Sequence, residues 1–126
     1  MSINDPPSII VIPIQGTFDI AQGRNAIRTR IALQHWPLPF NGRAATAMTA
    51  LGELILLSNR SKAVPVRITF LNNQPRCGIE LDCTLPKPDG EIVRWNSKTD
   101  NLARAADTLD MQEHGNQIEI RVCVWL

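Results

Sequence analysis

The chain has 126 residues, 44% of them hydrophobic, and a net charge of +1 from 13 basic and 12 acidic side chains. That is one ordinary domain, able to bury roughly two-thirds of the surface its unfolded chain exposes. The balanced charge removes the electrostatic case for nucleic acid or an anionic membrane as the main partner. Tyr is absent and aromatics make up 5% of the chain, which argues against a stacking platform for single strands.

The start, "MSINDPPS", lacks the basic region and long apolar run of a signal peptide, and residues 1–7 are expected to be loose. "SIIVIPIQG" (8–16) is β-branched and predicts a strand, with Pro13 marking it as an edge or irregular one. "TFDIAQGRNAIRTRIALQHW" (17–36) has helical spacing, with Ile20, Ile27 and Ile31 on one face. Thr17 or Asp19 is the candidate cap. Arg28 and Arg30 flank that face on opposite sides, while Arg24 falls close to the isoleucines. These three arginines suggest either an acid-binding face or a solvated helix side. "WPLPF" is expected to end the helix near His35, because a residue before proline avoids the helical region.

A second helix is predicted from Asn41, as cap, to about Ser58. Met48, Leu51, Leu54 and Ile55 make it apolar over more than half its girth, so it should be central. Its polar stripe is Thr46, Thr49 and Glu53, continued by Leu57. "VPVRITF" then alternates, with Val64, Val66, Ile68 and Phe70 inward, and Asn72 and Asn73 supply turn chemistry. "CGIELDCTL" places Ile79, Leu81, Cys83 and Leu85 inward and Glu80, Asp82 and Thr84 outward. "PKPDG" reads as a loop and "EIVRW" as a short strand. "TDNLARAADTLDM" (99–111) predicts a helix capped by Thr99 or Asp100, with Leu102, Ala106 and Leu109 inward. "NQIEIRVCVWL" closes the chain as a strand with Ile118, Ile120, Val122, Val124 and Leu126 on one face and Trp125 on the wet one. Alternating strands of this kind describe a sheet covered on one face only. The expected fold is therefore α+β: a single domain over 8–126, a two-layer α/β sandwich whose mixed, mostly antiparallel sheet carries helices on one face.

Candidate chemistry is sparse. His35 and His114 are far apart and neither forms a ligand pattern with a cysteine, so no metal site is expected from them. Cys77, Cys83 and Cys123 are odd in number and form no CxxC pair, which fits free thiols in a reducing cytoplasm. Without an adjacent His they read as small strand residues rather than nucleophiles. Trp36 and Trp125 fit either interface anchors or packing residues.

The order of elements, with "FDIAQGRNAIRTRIALQHWPLPFNGRAATAMTALGELILLSN" and the closing "QIEIRVCVWL", resembles the GHKL (histidine-kinase-like, Bergerat-like) ATPase fold. Within it the chain looks most like the anti-sigma-factor serine kinases of bacterial partner-switching modules. "RAATAMTALGELILL" carries most of that likeness: an Ala/Thr-rich start, then a Glu in an apolar helix. In that family the Glu helps position or activate a nucleophile, and an Asn four residues on binds the Mg²⁺ that bridges the ATP phosphates. One register matches Glu53 to the Glu and puts Leu57 at the Asn position. The other puts Ala50 and Leu54 there. Either way a leucine stands where the metal needs an oxygen. Asn59, about 200° further round the helix from Leu57, cannot substitute in a regular helix.

The family's adenine-binding Asp followed by a Gly-rich turn corresponds to "ELDCTLPKPDG", which offers Asp82 without the glycines and with outward parity. Cys83 or Leu85 falls nearer the adenine position. The glycine-rich phosphate lid is missing, since no glycine stands between Gly90 and Gly115. The resemblance with these losses implies a regulatory protein-binding module that does not bind ATP, with Glu53 as a vestige of catalysis and Asp82 as a lost cofactor contact. The implied partner is a STAS-type antagonist or a sigma-related factor. The alternative is a divergent serine kinase using ATP and Mg²⁺. Dimers are common in the family, and the apolar "SIIVIPI" is the expected shared edge.

Overall fold

The computed structural model describes residues 8–58, 61–72, 76–87 and 92–126. The expectations for residues 1–7, Asn59, Asn73 and Gly90 lie outside these residues. In chain order the elements are β1 (Ser8–Ile14), α1 (Thr17–Leu33), α2 (Leu38–Ser58), β2 (Val64–Leu71), β3 (Gly78–Pro86), α3 (Ile92–Ala105), β4 (Thr108–His114) and β5 (Gln117–Trp125). The strands form one sheet in the order β1-β2-β3-β5-β4, and every neighbouring pair is antiparallel. The mixed pairing allowed by the sequence is thus absent among the described residues. The connectivity explains this. Two helices between β1 and β2 return the chain reversed. The single α3 makes β4 run the same way as β3, but β5 inserts between them.

The alternation of β2, β3 and β5 places Val66, Ile68, Phe70, Leu81, Leu85, Ile120 and Val122 in one core with the inner faces of the helices. Each such side chain contributes about 1.5–3 kcal/mol by leaving water. α2 is central, packing on α1, α3 and three strands, as its wide apolar girth requires. It meets α1 very closely. A Cβ on Gly52 would lie 2.5 Å from Ile20 Cγ1, and one on Gly23 would lie 3.0 Å from Met48 Cε. Each glycine leaves space for the other helix's large side chain, so Ile20 and Met48 interlock across the seam.

The helix ends show what the sequence hides. Gly16, not Thr17, is the N-cap of α1. Asp19 reaches back, and its Oδ2 accepts from the N–H groups of Gln15 (2.8 Å) and Gly16 (3.0 Å). At the other end His35 takes a left-handed conformation (φ 58). Trp36 N–H then donates to Ile31 O and His35 N–H to Ala32 O, a Schellman closure. α2 begins before Asn41, because the Pro37 carbonyl accepts from Phe40 and Asn41. A proline in the first turn loses no helical bond, so "WPLPF" stops one helix and starts the next.

Two larger corrections fall after β3. Within "EIVRW", residues 92–95 are no strand: Ile92 onward is α3, whose buried Trp95 and Leu102 stand seven residues apart on one face. The helix ends at Ala105, and 108–114 form β4 instead of a last helical turn. Leu109 and Met111 lean on the core from this edge strand, while Ala106 lies outside the helix. Over "LARAADTLDM" the spacings 102, 106 and 109 satisfy a helix, whereas 109 and 111 satisfy a strand; β5 decides by offering its free edge. Gly115 (φ 64) opens the two-residue turn between β4 and β5. Leu126 is also corrected: it follows β5 and is exposed.

Candidate functional site

The outward surface of the helical layer carries a groove along α2. Its floor is α2's stripe of Ala45, Thr49 and Ala50, which share one side of the helix by their spacing. Thr46 and Thr49 turn their hydroxyls back onto Gly42 O (2.9 Å) and Ala45 O (3.1 Å), so the floor spends its own polarity. One wall is α1, through Arg24 and Arg28, one helical turn apart. The other is α3, through Lys98, Asn101 and Ala105. The hollow is open to solvent and has a volume of about 360 Å³. Lys98 Nζ lies 3.0 Å from Glu53 Oε2, and this pair lines one end of the hollow. Beyond the bridge a second hollow of about 400 Å³ continues between Leu56, Leu57 and Arg94. A third, of about 500 Å³, lies toward Pro39, Arg43 and Asp107.

The sequence-derived candidates do not converge. Glu53 is exposed and engaged by Lys98. Leu57 lines the second hollow, Leu54 is fully buried in the core, and Ala50 lies in the floor. The space beside Glu53 is therefore open rather than filled by leucine, but neither register sets an oxygen ligand four residues from the Glu position. Asp82 is on the opposite face of the sheet. There it pairs with Arg67 (Nε to Oδ2 3.2 Å; Nη2 to Oδ1 3.2 Å). Strand parity produces this separation, since Leu81 and Cys83 point into the core. The sheet thus stands between Asp82 and Glu53, and the two share no site. The residues that the resemblance assigns to ATP and Mg²⁺ are thus not brought together. Among the described residues no three His, Cys, Asp or Glu side chains cluster as metal ligands.

The arginines of α1 divide. Arg30 packs its guanidinium 5.5 Å over the Phe70 ring, away from the groove. Arg28 is exposed at the groove wall. Arg24 is half-buried, and its Nε is shut off from water without an acceptor. Leaving a buried donor unmatched costs about 1–3 kcal/mol.

Two of the three thiols, Cys83 and Cys123, are buried in the sheet. Burial pushes Cys83 up to about 12, with the nearby Asp82 charge adding to it, and burial also raises Cys123. Trp36 packs edge-on against Phe40, with ring centroids 5.4 Å apart. Trp125 has Arg76 over its ring at 4.8 Å, which accounts for an indole on the wet face.

A latch that sequence reading missed ties the layers together. Asp107, between α3 and β4, accepts from Arg43 Nη2 of α2 (2.7 Å) and from Trp125 N of β5 (2.6 Å). The Trp125 N–H, reinforced by Arg43, holds the Asp107 carboxyl below the usual carboxylate range. Its three strands of contact join residues 64 and 82 positions apart from Arg43, so no local spacing signals it. Lys98 was also missed, because it joins the face of Asn101 and Ala105 only once the helix is started at Ile92. No helix among the described residues is long and apolar enough to cross a membrane. A scan against protein-family models gives no match, and a search of curated proteins gives none either.

Proposed function

We propose that this protein is a regulatory protein-binding module, similar in plan to anti-sigma-factor serine kinases, that works by contact rather than by ATP chemistry. The supporting observation is the wide separation of the candidate nucleotide residues. Glu53 is bridged to Lys98 on the helical face, Asp82 is bridged to Arg67 beyond the sheet, and Leu57 or Leu54 holds the metal-ligand position. Mg²⁺ requires oxygen ligands in near-octahedral geometry, which an aliphatic side chain cannot supply. The module would sequester or scaffold a cytoplasmic signalling partner, a STAS-type antagonist or a sigma-related factor. Titration calorimetry with ATP and Mg²⁺ tests this: no heat of binding is expected up to millimolar nucleotide, and micromolar binding would overturn it.

A second reading, a divergent serine kinase, draws support from the open hollows on both sides of Glu53. It requires ATP-dependent phosphate transfer to an antagonist domain, lost on Glu53→Gln. Self-association through β1 is a further part of the proposal. β1 is an edge strand without a charged residue, and Ile9 and Val11 are each more than half exposed. Sedimentation should give twice the monomer mass, reduced to one by Val11→Lys; a monomer at every concentration counts against the pairing.

A further inference from the structure

We infer that the hollow between α1 and α3 binds an acidic segment of a partner protein, with Arg24 and Arg28 as its carboxylate anchors. This deepens the reading of the protein as a binding module and rests on it.

Three observations lead there. The first is the charge imbalance. Arg24, Arg28 and Lys98 line the hollow, and its single carboxylate among the described residues, Glu53, is already engaged by Lys98. The second is the unmet donor. Arg24 Nε is buried without an acceptor, and no hydrogen bond or ion pair engages Arg24 or Arg28 among the described residues. An arginine offers five donors and no acceptor, so what completes it is an anion or a carbonyl. The third is placement. The interlock of Ile20 over Gly52 and Met48 under Gly23 fixes α1 against α2, and Arg24 follows Gly23 directly. Its position at the seam is thus set by backbone packing, not by the freedom of a surface side chain.

The shape favours a peptide over a nucleotide. The hollow continues at both ends into neighbouring ones, so it is a channel along α2. Among the described residues no aromatic side chain lines it to hold a base, and no glycine lies in the first hollow to let backbone N–H groups approach phosphates. Its floor of alanine and self-bonded threonine accepts small apolar side chains. Arg24 and Arg28 are about 6 Å apart along the helix axis, which suits carboxylates spaced one turn apart on a helix or two residues apart on an extended chain. Guanidinium–carboxylate pairs of this kind are frequently bidentate.

The test is fluorescence anisotropy with a fluorescein-labelled hexaglutamate peptide in 50 mM NaCl. The wild-type protein should bind it and should not bind hexalysine. Arg24→Gln with Arg28→Gln should weaken binding by about tenfold or more, as expected when charged pairs are removed. Arg67→Gln with Arg121→Gln, which removes an equal charge from the far face of the sheet, should leave it unchanged. If Arg24→Gln fails to fold by circular dichroism, the exposed Arg28→Gln alone must still weaken binding at least threefold. Equal affinity in the wild type and the double variant, or no binding at all, overturns the proposal. So does displacement of the peptide by ATP at equal charge concentration, since the site would then take phosphate. ATP·Mg²⁺ binding that leaves the hexaglutamate result intact would sink the proposed function while keeping this site. Loss of the peptide effect with no ATP binding would do the reverse.

Discussion

The two outward surfaces of this protein treat charge in opposite ways. On the sheet's wet face, register lines up Arg67, Asp82, Arg121 and Asp110 across four adjacent strands. Signs alternate, and Arg121 also reaches Glu80 (3.5 Å) and Glu119 (3.8 Å). Cross-strand neighbours of opposite sign support one another, so this face satisfies itself. The helical face instead leaves Arg24 and Arg28 without an ion pair among the described residues, over a floor that has turned its hydroxyls inward. A surface balanced by its own residues asks nothing of a partner. A fixed, unmatched pair of arginines in a channel is what a partner can complete.

The contrast depends first on the close approach of α1 and α2. Gly52→Val should destabilise the protein by about 1–3 kcal/mol, the usual cost of overpacking, measured by urea unfolding. It should weaken hexaglutamate binding as well, because α1 carries both arginines. Unchanged stability would mean that the seam does not set their position.

Next in size is the latch. Asp107→Asn should cost about 1–2 kcal/mol, since hydrogen bonds to a charged group are among the stronger ones. Its pH dependence has a defined sign. The folded carboxyl titrates below its unfolded value, so its contribution is complete above the ordinary carboxylate pKa and is lost as pH falls through the folded one. The difference between wild type and Asp107→Asn should therefore be constant above about pH 5 and shrink in more acidic solution. A difference that grows on acidification contradicts the assignment.

The smallest effects belong to the exposed pairs. Arg121→Gln on the sheet face and Glu53→Gln on the helical face should each change stability by less than about 1 kcal/mol. They should part in function: Glu53→Gln frees Lys98, adding an unmatched cation to the channel, and should strengthen hexaglutamate binding modestly. A weaker complex in Glu53→Gln would show that the Lys98 bridge shapes the site rather than competing with the ligand.

Much of the frame was legible in the sequence because burial there follows simple periods. β2, β3 and β5 alternate cleanly, and Ile20, Ile27 and Ile31 mark the inner face of α1. The failures came where two periods coexist or where partners are remote. Around residues 102–111 both helix and strand spacings are satisfied, and only the free edge of β5 selects β4. Pro37 looked like a stop and is also a start. For the site, sequence reading found Glu53, Asp82 and the arginine cluster. It also gave Asp82 its outward parity, and the structure places that residue beyond the sheet from Glu53. It set Arg28 and Arg30 on opposite flanks of α1 but could not say which flank faces the groove, since that depends on how α1 packs against α2. Nor could it find Asp107, whose partners come from α2 and β5.

The most direct measurement of the central claim is a residue-resolved titration of the ¹⁵N-labelled protein with ATP and Mg²⁺, watching the amides of Thr49, Glu53 and Leu57. These should not move at millimolar nucleotide, as the proposed role by contact requires. Saturable shifts at those three residues with a micromolar midpoint would contradict the account.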